Sequence, residues 1–145
     1  MMRAILMLSA LLIAAVSAAA TEKVPATIYK NPSCTCCDAY ANYLRANGFE
    51  VKVIEHPNMT LIKQQHGVGE NLESCHTTLI EGYVVEGHVP VGAINRLLTE
   101  KPAIKGVSLP GMPAGSPGMS GTRESPFEIL TIPVKDGAPA VFATE

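Results

Sequence analysis

The succession of strand, helix and strand patterns between Pro25 and Glu55 restricts this chain more than any other feature. Pro25 to Lys30 carries Thr27, Ile28 and Tyr29, all good strand formers. Asn31-Pro32-Ser33 then breaks the run. Cys37, Tyr40, Ala41 and Leu44 recur at the i, i+3, i+4, i+7 spacing of one helix face. Asn47-Gly48 supplies a C-terminal stop. Glu50 to Glu55 alternates, with Val51 and Val53 on one side, and reads as a second strand. Two strands joined through one helix predict an early parallel βαβ unit.

His56-Pro57-Asn58 is the next break, with Asn58 placed to cap a short helix that has Met59, Ile62 and His66 on one face and ends at Gly67. Val68 to Ser74 reads as loop. Thr77 to Ile80 and Tyr83 to Glu86 are two strand-like runs joined through Glu81-Gly82, a hairpin signal. Pro90 opens a third helix with Val91, Ile94, Leu97 and Leu98 on one face, and Pro102 stops it. The order β-α-β-α-β-β-α predicts an α/β protein of thioredoxin-like architecture. Gly106 to Gly121 holds five Gly and three Pro, a composition that predicts no regular element. Phe127 to Pro133 and Ala138 to Thr144 read as two further strands around a Lys135-Asp136-Gly137 turn. The expected organisation is a core over 21–105, then a Gly/Pro/Met-rich loop and C-terminal strands packed on it over 106–145.

Residues 1–20 read as an address. Arg3 is followed by an apolar run from Ala4 to Ala20 that ends in Ala18-Ala19-Ala20, the pattern of a cleaved secretory signal peptide. The run is short and Ala-rich for a membrane anchor. The chain beginning at Thr21 is therefore expected in the periplasm, with no membrane association after cleavage, and its cysteines meet an oxidising compartment. The formal charge of the whole chain is −2, which gives no basic field for nucleic acid. It has no Trp, and only three Phe and four Tyr, so a base-stacking platform is also excluded.

Four cysteines carry the chemistry. Cys34, Cys36 and Cys37 fall where the first strand passes into the first helix, and a helix N-terminus favours thiolates there. Cys34 and Cys37 alone satisfy the C-x-x-C of a dithiol switch, and Cys36 is an extra thiol inside it. Three sulfurs in four residues suit a soft ion, Cu(I) above all, and can bridge several ions. Zinc sites usually draw on spaced pairs instead. In a thioredoxin-like fold the segment entering the third strand faces the start of the first helix, which would bring Cys75 to the other three. Redox thioredoxins carry a proline in that segment, and Ser74-Cys75-His76-Thr77 has none. A thiol–disulfide oxidoreductase using Cys34 and Cys37 is the alternative reading, and a pair of structural disulfides is the third.

The remaining soft or basic residues divide into candidates and bystanders. His76 adjoins Cys75, but neighbours in a strand point to opposite faces, so the two do not readily serve one ion. His88, in Gly87-His88-Val89-Pro90, reads either as a ligand or as a hydrogen-bonding residue of the turn. Met112 and Met119, on the Gly/Pro-rich loop, are soft ligands or an apolar lid over the thiols. Met59 belongs to a helix face. His56 and His66 read as ordinary, with a protonated His66 favoured at a helix C-terminus. Glu, Asp and Lys form no legible acid/base pair.

Cys34-Thr35-Cys36-Cys37, Glu73-Ser74-Cys75-His76-Thr77, Glu86-Gly87-His88-Val89-Pro90, Pro110-Gly111-Met112-Pro113 and Gly115-Ser116-Pro117-Gly118-Met119 together resemble the CopG-type family of periplasmic copper-resistance proteins. The resemblance runs from about Ala26 to Gly121. It implies a thioredoxin-like fold and a copper cluster held by cysteine thiolates, the family's cysteine motif falling on Cys34, Cys36 and Cys37 and its distant cysteine on Cys75. It further implies copper ions, and other periplasmic copper-handling proteins, as partners, and a redox conversion between Cu(I) and Cu(II) as an activity to consider.

Overall fold

A computed structural model of the chain describes residues 21–145, so the signal peptide expected over 1–20 lies outside the described residues. Seven strands form one sheet: β1 (Val24–Lys30), β2 (Phe49–Glu55), β3 (Thr77–Ile80), β4 (Tyr83–Glu86), β5 (Gly106–Ser108), β6 (Glu128–Ile132) and β7 (Val141–Thr144). Three α-helices accompany it: α1 (Thr35–Ala46), α2 (Met59–Gln65) and α3 (Val91–Glu100), with a 3₁₀ turn at Glu70–Leu72 inside the expected loop. The fold is mixed α/β. The strand order is β2-β1-β3-β4-β5-β6-β7.

The βαβ unit forms as its pattern requires, with β1 and β2 parallel and Val24 opposite Phe49. Helix α1 starts two residues earlier than the apolar spacing alone places it, with Cys34 in extended conformation at its N-cap. It buries Cys37, Tyr40, Ala41 and Leu44, the anticipated face. In α2 the Asn58 side chain accepts a hydrogen bond from the Leu61 amide, 3.1 Å, which satisfies one orphan donor of the first turn.

Strand β3 is antiparallel to both β1 and β4. The β3–β4 turn holds Glu81 at φ 48° and Gly82 at φ 84°, the paired left-handed residues of a two-residue hairpin. One core lies between α1, α3 and the sheet and includes Ile28, Leu44, Val85, Ile94, Leu97, Val107 and Ile129. Each large aliphatic side chain there contributes about 1.5–3 kcal/mol by leaving water. Val84, next to Val85 and therefore on the other face, joins a smaller cluster with Val68, Leu72 and Ile132.

One expectation fails. Gly106 to Gly121 does contain a regular element, because Gly106–Ser108 pair in parallel with β4. The glycine is the reason. A Cβ at Gly106 would overlap the backbone of Val84, so only glycine lets this strand close on its neighbour. Strand β5 thereby completes a second βαβ unit through α3 and joins β6 and β7 to the same sheet.

Candidate metal centre

The sheet register assembles the site from separated segments. Tyr29 of β1 lies opposite Thr77 of β3, so the exit of β1 toward Cys34 runs beside the entry to β3 at Cys75. Thr77 in turn lies opposite Glu86 of β4. Cys75 and His76 before the one strand therefore neighbour Gly87 and His88 after the other, and the Gly87 amide donates to the His76 carbonyl at 3.0 Å. Gly87 has φ 78°, and a Cβ there would strike Ser74 and the Leu109 carbonyl. Glycine is required for this turn to close.

Cys34, Cys36, Cys37 and Cys75 converge, with their sulfurs all within 4.8 Å of one another. Cys34 and Cys37 are joined in a disulfide. Cys36 and Cys75 are free thiols and half-buried. Cys36 Sγ lies 3.5 Å from Cys34 Sγ and 3.9 Å from Cys75 Sγ. Only one of the two disulfides in the structural-staple reading is therefore present among the described residues. Cys36 and Cys37 occupy the first turn of α1. Cys75 lies on a different segment. Burial, with the neighbouring Cys36 thiol adding to it, pushes the Cys75 thiol up to about 12.

Both candidate histidines come to Cys75. His88 Nε2 is 2.9 Å and His76 Nδ1 is 3.1 Å from its sulfur. The strand-alternation objection to His76 does not apply, since Cys75 lies in a bend and β3 begins only at Thr77. His88 fulfils the hydrogen-bonding expectation as well: its Nδ1–H donates to the Pro117 carbonyl at 2.7 Å. That bond fixes the tautomer and leaves Nε2 without a proton, facing Cys75. Burial lowers the His88 pKa and keeps the ring neutral. His76 is fully buried, and burial, followed by the electrostatic influence of His88 and Lys63, holds its pKa well below the usual imidazole range. Its Nε2 has no hydrogen-bond partner among the described residues.

The Gly/Pro-rich loop covers this arrangement. The Leu109 amide donates to Glu86 O at 3.0 Å and the Gly111 amide to Glu73 O at 3.0 Å. Farther on, Gly118 lies flat against α1, where a Cβ would come within 2.8 Å of Tyr40 N and 3.2 Å of Cys36 O. Met119, next to Gly118, is half-buried, whereas Met112 is 55% exposed. His56 and His66 lie elsewhere, His56 bonded to Asn58 and His66 against Tyr29. Burial and then Lys105 lower the His66 pKa, against the expectation that a helix C-terminus favours its protonated form.

Sequence patterns missed the support beneath the site. Lys63 and Glu86 form a buried ion pair that the sequence did not make legible. Glu86 Oε1 also accepts from the Ser74 amide at 2.8 Å, and Oε2 from the Thr77 hydroxyl at 2.6 Å. Burial raises the Glu86 pKa, against the opposing pull of Lys63, Thr77 and Ser74. Ser74 precedes Cys75, so this network holds the backbone of the cysteine arm. Tyr40 donates its hydroxyl to Val89 O at 2.8 Å and packs on His76 and His88, with ring centroids 4.6 and 5.4 Å away. The one available signal was Lys63 itself, a charged residue beside Ile62 on the inward side of a short helix.

Neither ligand group contains a carboxylate. Four sulfurs and two neutral imidazoles suit a soft ion and disfavour magnesium or calcium. The unpartnered His76 Nε2 adds one uncommitted donor. No helix among the described residues is long and apolar enough to cross a membrane.

Comparisons with known proteins bear on the same residues. A family model described as "Protein of unknown function, DUF411" matches residues 72–119, the stretch carrying Cys75, His76, His88 and both loop methionines. No curated protein matches the chain. Two solved structures do. "Copper resistance protein copG- Form 2" is similar at 35% identity and TM-score 0.78, over 86% of this chain and 99% of that one. "Copper resistance protein copG- Form 1" is similar at 35% identity and TM-score 0.77, over 86% of this chain and 98% of that one.

Proposed function

The chain belongs to the CopG family of copper-resistance proteins, and from that premise we propose that it is a periplasmic protein that binds Cu(I) through cysteine thiolates. The observation that carries the reading is the convergence of four sulfurs from two segments of the chain. Cys34, Cys36, Cys37 and Cys75 would hold the metal when all four are reduced. Four thiolates at this spacing can be shared between ions, which supports a multinuclear site. His88, its tautomer fixed by Pro117, and His76 stand at Cys75 as further ligands or as orienting donors. Met119, beside Gly118 on the covering loop, has a better claim than Met112 to act as a ligand or lid. The copper, whether cargo or reactant, supplies the Cu(I)/Cu(II) couple, and the protein supplies soft donors.

A thioredoxin-like core is part of this reading. The succession β2-β1-β3-β4, with α1 and α3 on one core, supports it. So does the position of the Cys34–Cys37 bond at the N-terminus of α1. That bond also favours the second reading, a thiol–disulfide oxidoreductase. A periplasmic location follows from the expected signal peptide. N-terminal sequencing of the exported protein, expected to begin at Thr21, checks that part.

Anaerobic Cu(I) titration of the fully reduced protein separates the two functions. Copper resistance predicts more than one Cu(I) per chain, not displaced by zinc, with sharp loss on replacing any one of the four cysteines with serine. Negligible uptake, together with catalysed reduction of a protein disulfide that Cys34→Ser abolishes, would establish the oxidoreductase instead.

A further inference from the structure

The four sulfurs are not equivalent. Cys37 is fully buried and bonded to Cys34, with Cα atoms 5.4 Å apart, inside the range a disulfide spans without moving the backbone. Cys36 and Cys75 remain thiols, face one another at 3.9 Å, and are half-buried. A sulfur committed to a disulfide has no thiolate to offer a metal. Closing Cys34 to Cys37 therefore removes two donors from the group of four and spares the other two.

We propose that the Cys34–Cys37 bond is a redox gate on copper capacity, and that the oxidised protein keeps a smaller copper site at Cys36 and Cys75 beside His88. The inference rests on the thiolate reading above and adds its regulation. Its geometry is direct. Two sulfurs bonded to one ion at about 2.3 Å each, the length of a metal–thiolate bond, can lie no more than about 4.6 Å apart. Cys36 and Cys75 meet that limit without moving. His88 Nε2, 2.9 Å from Cys75 Sγ, is aimed at the same sulfur by its bond to Pro117 and does not depend on Cys34 or Cys37.

The gate closes by thiol–disulfide exchange with a disulfide oxidant. The Cys34 and Cys37 thiols lose two protons and two electrons and form one S–S bond, while the oxidant's S–S bond breaks and leaves as two thiols. A dithiol reductant reverses it. Linkage makes the coupling reciprocal: copper bound to the four-thiolate form must protect Cys34 and Cys37 from oxidation.

The test compares the purified protein reduced and after oxidation with diamide. Each form is assayed by thiol counting, disulfide mapping and anaerobic Cu(I) titration against a colorimetric chelator. The oxidised form should show two free thiols, Cys36 and Cys75, and should bind Cu(I) at a lower stoichiometry than the reduced form. Cys36→Ser or Cys75→Ser should abolish that residual binding. The Cys34→Ser/Cys37→Ser double variant should match the oxidised protein before and after diamide, and copper loaded beforehand should slow disulfide formation in the wild type. Equal stoichiometry in the two forms, no copper in the oxidised form, or a disulfide that includes Cys36 or Cys75 would each overturn the gate. Those outcomes leave the reduced site standing. Failure of the reduced protein itself to take copper would overturn the function on which the gate rests.

Discussion

Lys63 and Glu86 carry opposite charges into a place where neither keeps contact with water, their side chains 5% and 0% exposed. Burying such a pair is costly, and removing one partner alone costs more than removing both. Glu86→Gln should therefore destabilise the protein by about 3–5 kcal/mol in urea denaturation, because it strands the Lys63 ammonium. Lys63→Met should be milder, since Glu86 is already biased toward its neutral form by burial. The double variant Lys63→Met/Glu86→Gln should recover most of the stability. If the double variant is as unstable as the sum of the singles, the pair is not coupled. His76 offers a second test, in pH. As pH falls past about 6.5 the unfolded chain takes up a proton on this ring. The folded chain, with His76 held well below that value, does not. Its contribution is thus complete above about 6.5 and is lost as the solution becomes more acid, at no more than about 1.4 kcal/mol per pH unit for the one proton. Denaturation of the reduced, metal-free protein from pH 7 to 5 should show the gap between wild type and His76→Asn narrowing. A constant gap would refute the assignment. At this scale the cysteines were legible because their clustering is itself the signal. Lys63 and Glu86 were not, because no local pattern links the inward face of a helix to a strand more than twenty positions on.

Helix α1 and the loop that covers it meet at Gly118, whose φ of 83° and lack of side chain both matter. Gly118→Ala would set a methyl group 2.8 Å from Tyr40 N and 3.0 Å from Tyr40 Cα, atoms fixed by the helix. The loop must lift, and Pro117 with it, which frees His88. We expect a loss of about 1–3 kcal/mol of stability together with about 10–100-fold weaker Cu(I) binding, the usual effect of removing a ligand's orienting partner. Gly48→Ala is the control. That glycine has φ 93° but nothing within 4 Å, so the substitution should cost stability while leaving copper affinity unchanged. Equal copper affinity in the two variants would show that the loop plays no part in the site. Elements with a strong period, such as α1 and the β3–β4 hairpin, could be read directly from the sequence. Strand β5 could not, because the glycine that marks it reads locally as a breaker and has its use only in the approach to Val84.

The single seven-stranded sheet makes the C-terminal third of the chain part of the core. Val107, Leu109, Phe127 and Ile129 lie in the same buried cluster as Ile28, Leu44 and Leu97. Truncation after Lys105 would uncover the β4 edge and that apolar face together. Residues 21–105 should therefore fail to give a cooperative thermal transition, and a folded, monomeric fragment would disprove the dependence. The element order announced an α/β core, yet it could not reveal how the late strands join it, since the pairing of β5 with β4 spans all of α3. The hairpin turn at Glu81–Gly82 shows how far such pairing reaches. It closes β3 against β4 at the end remote from the thiols, and its length helps set which residue faces which along both strands. A slip of one position would carry Cys75 about 3.3 Å along the strand, a displacement comparable with the 2.9 Å that separates its sulfur from His88. Two residues that never approach the thiols thus calibrate the spacing at them, and a change in the length of that turn would act as a change of ligand set.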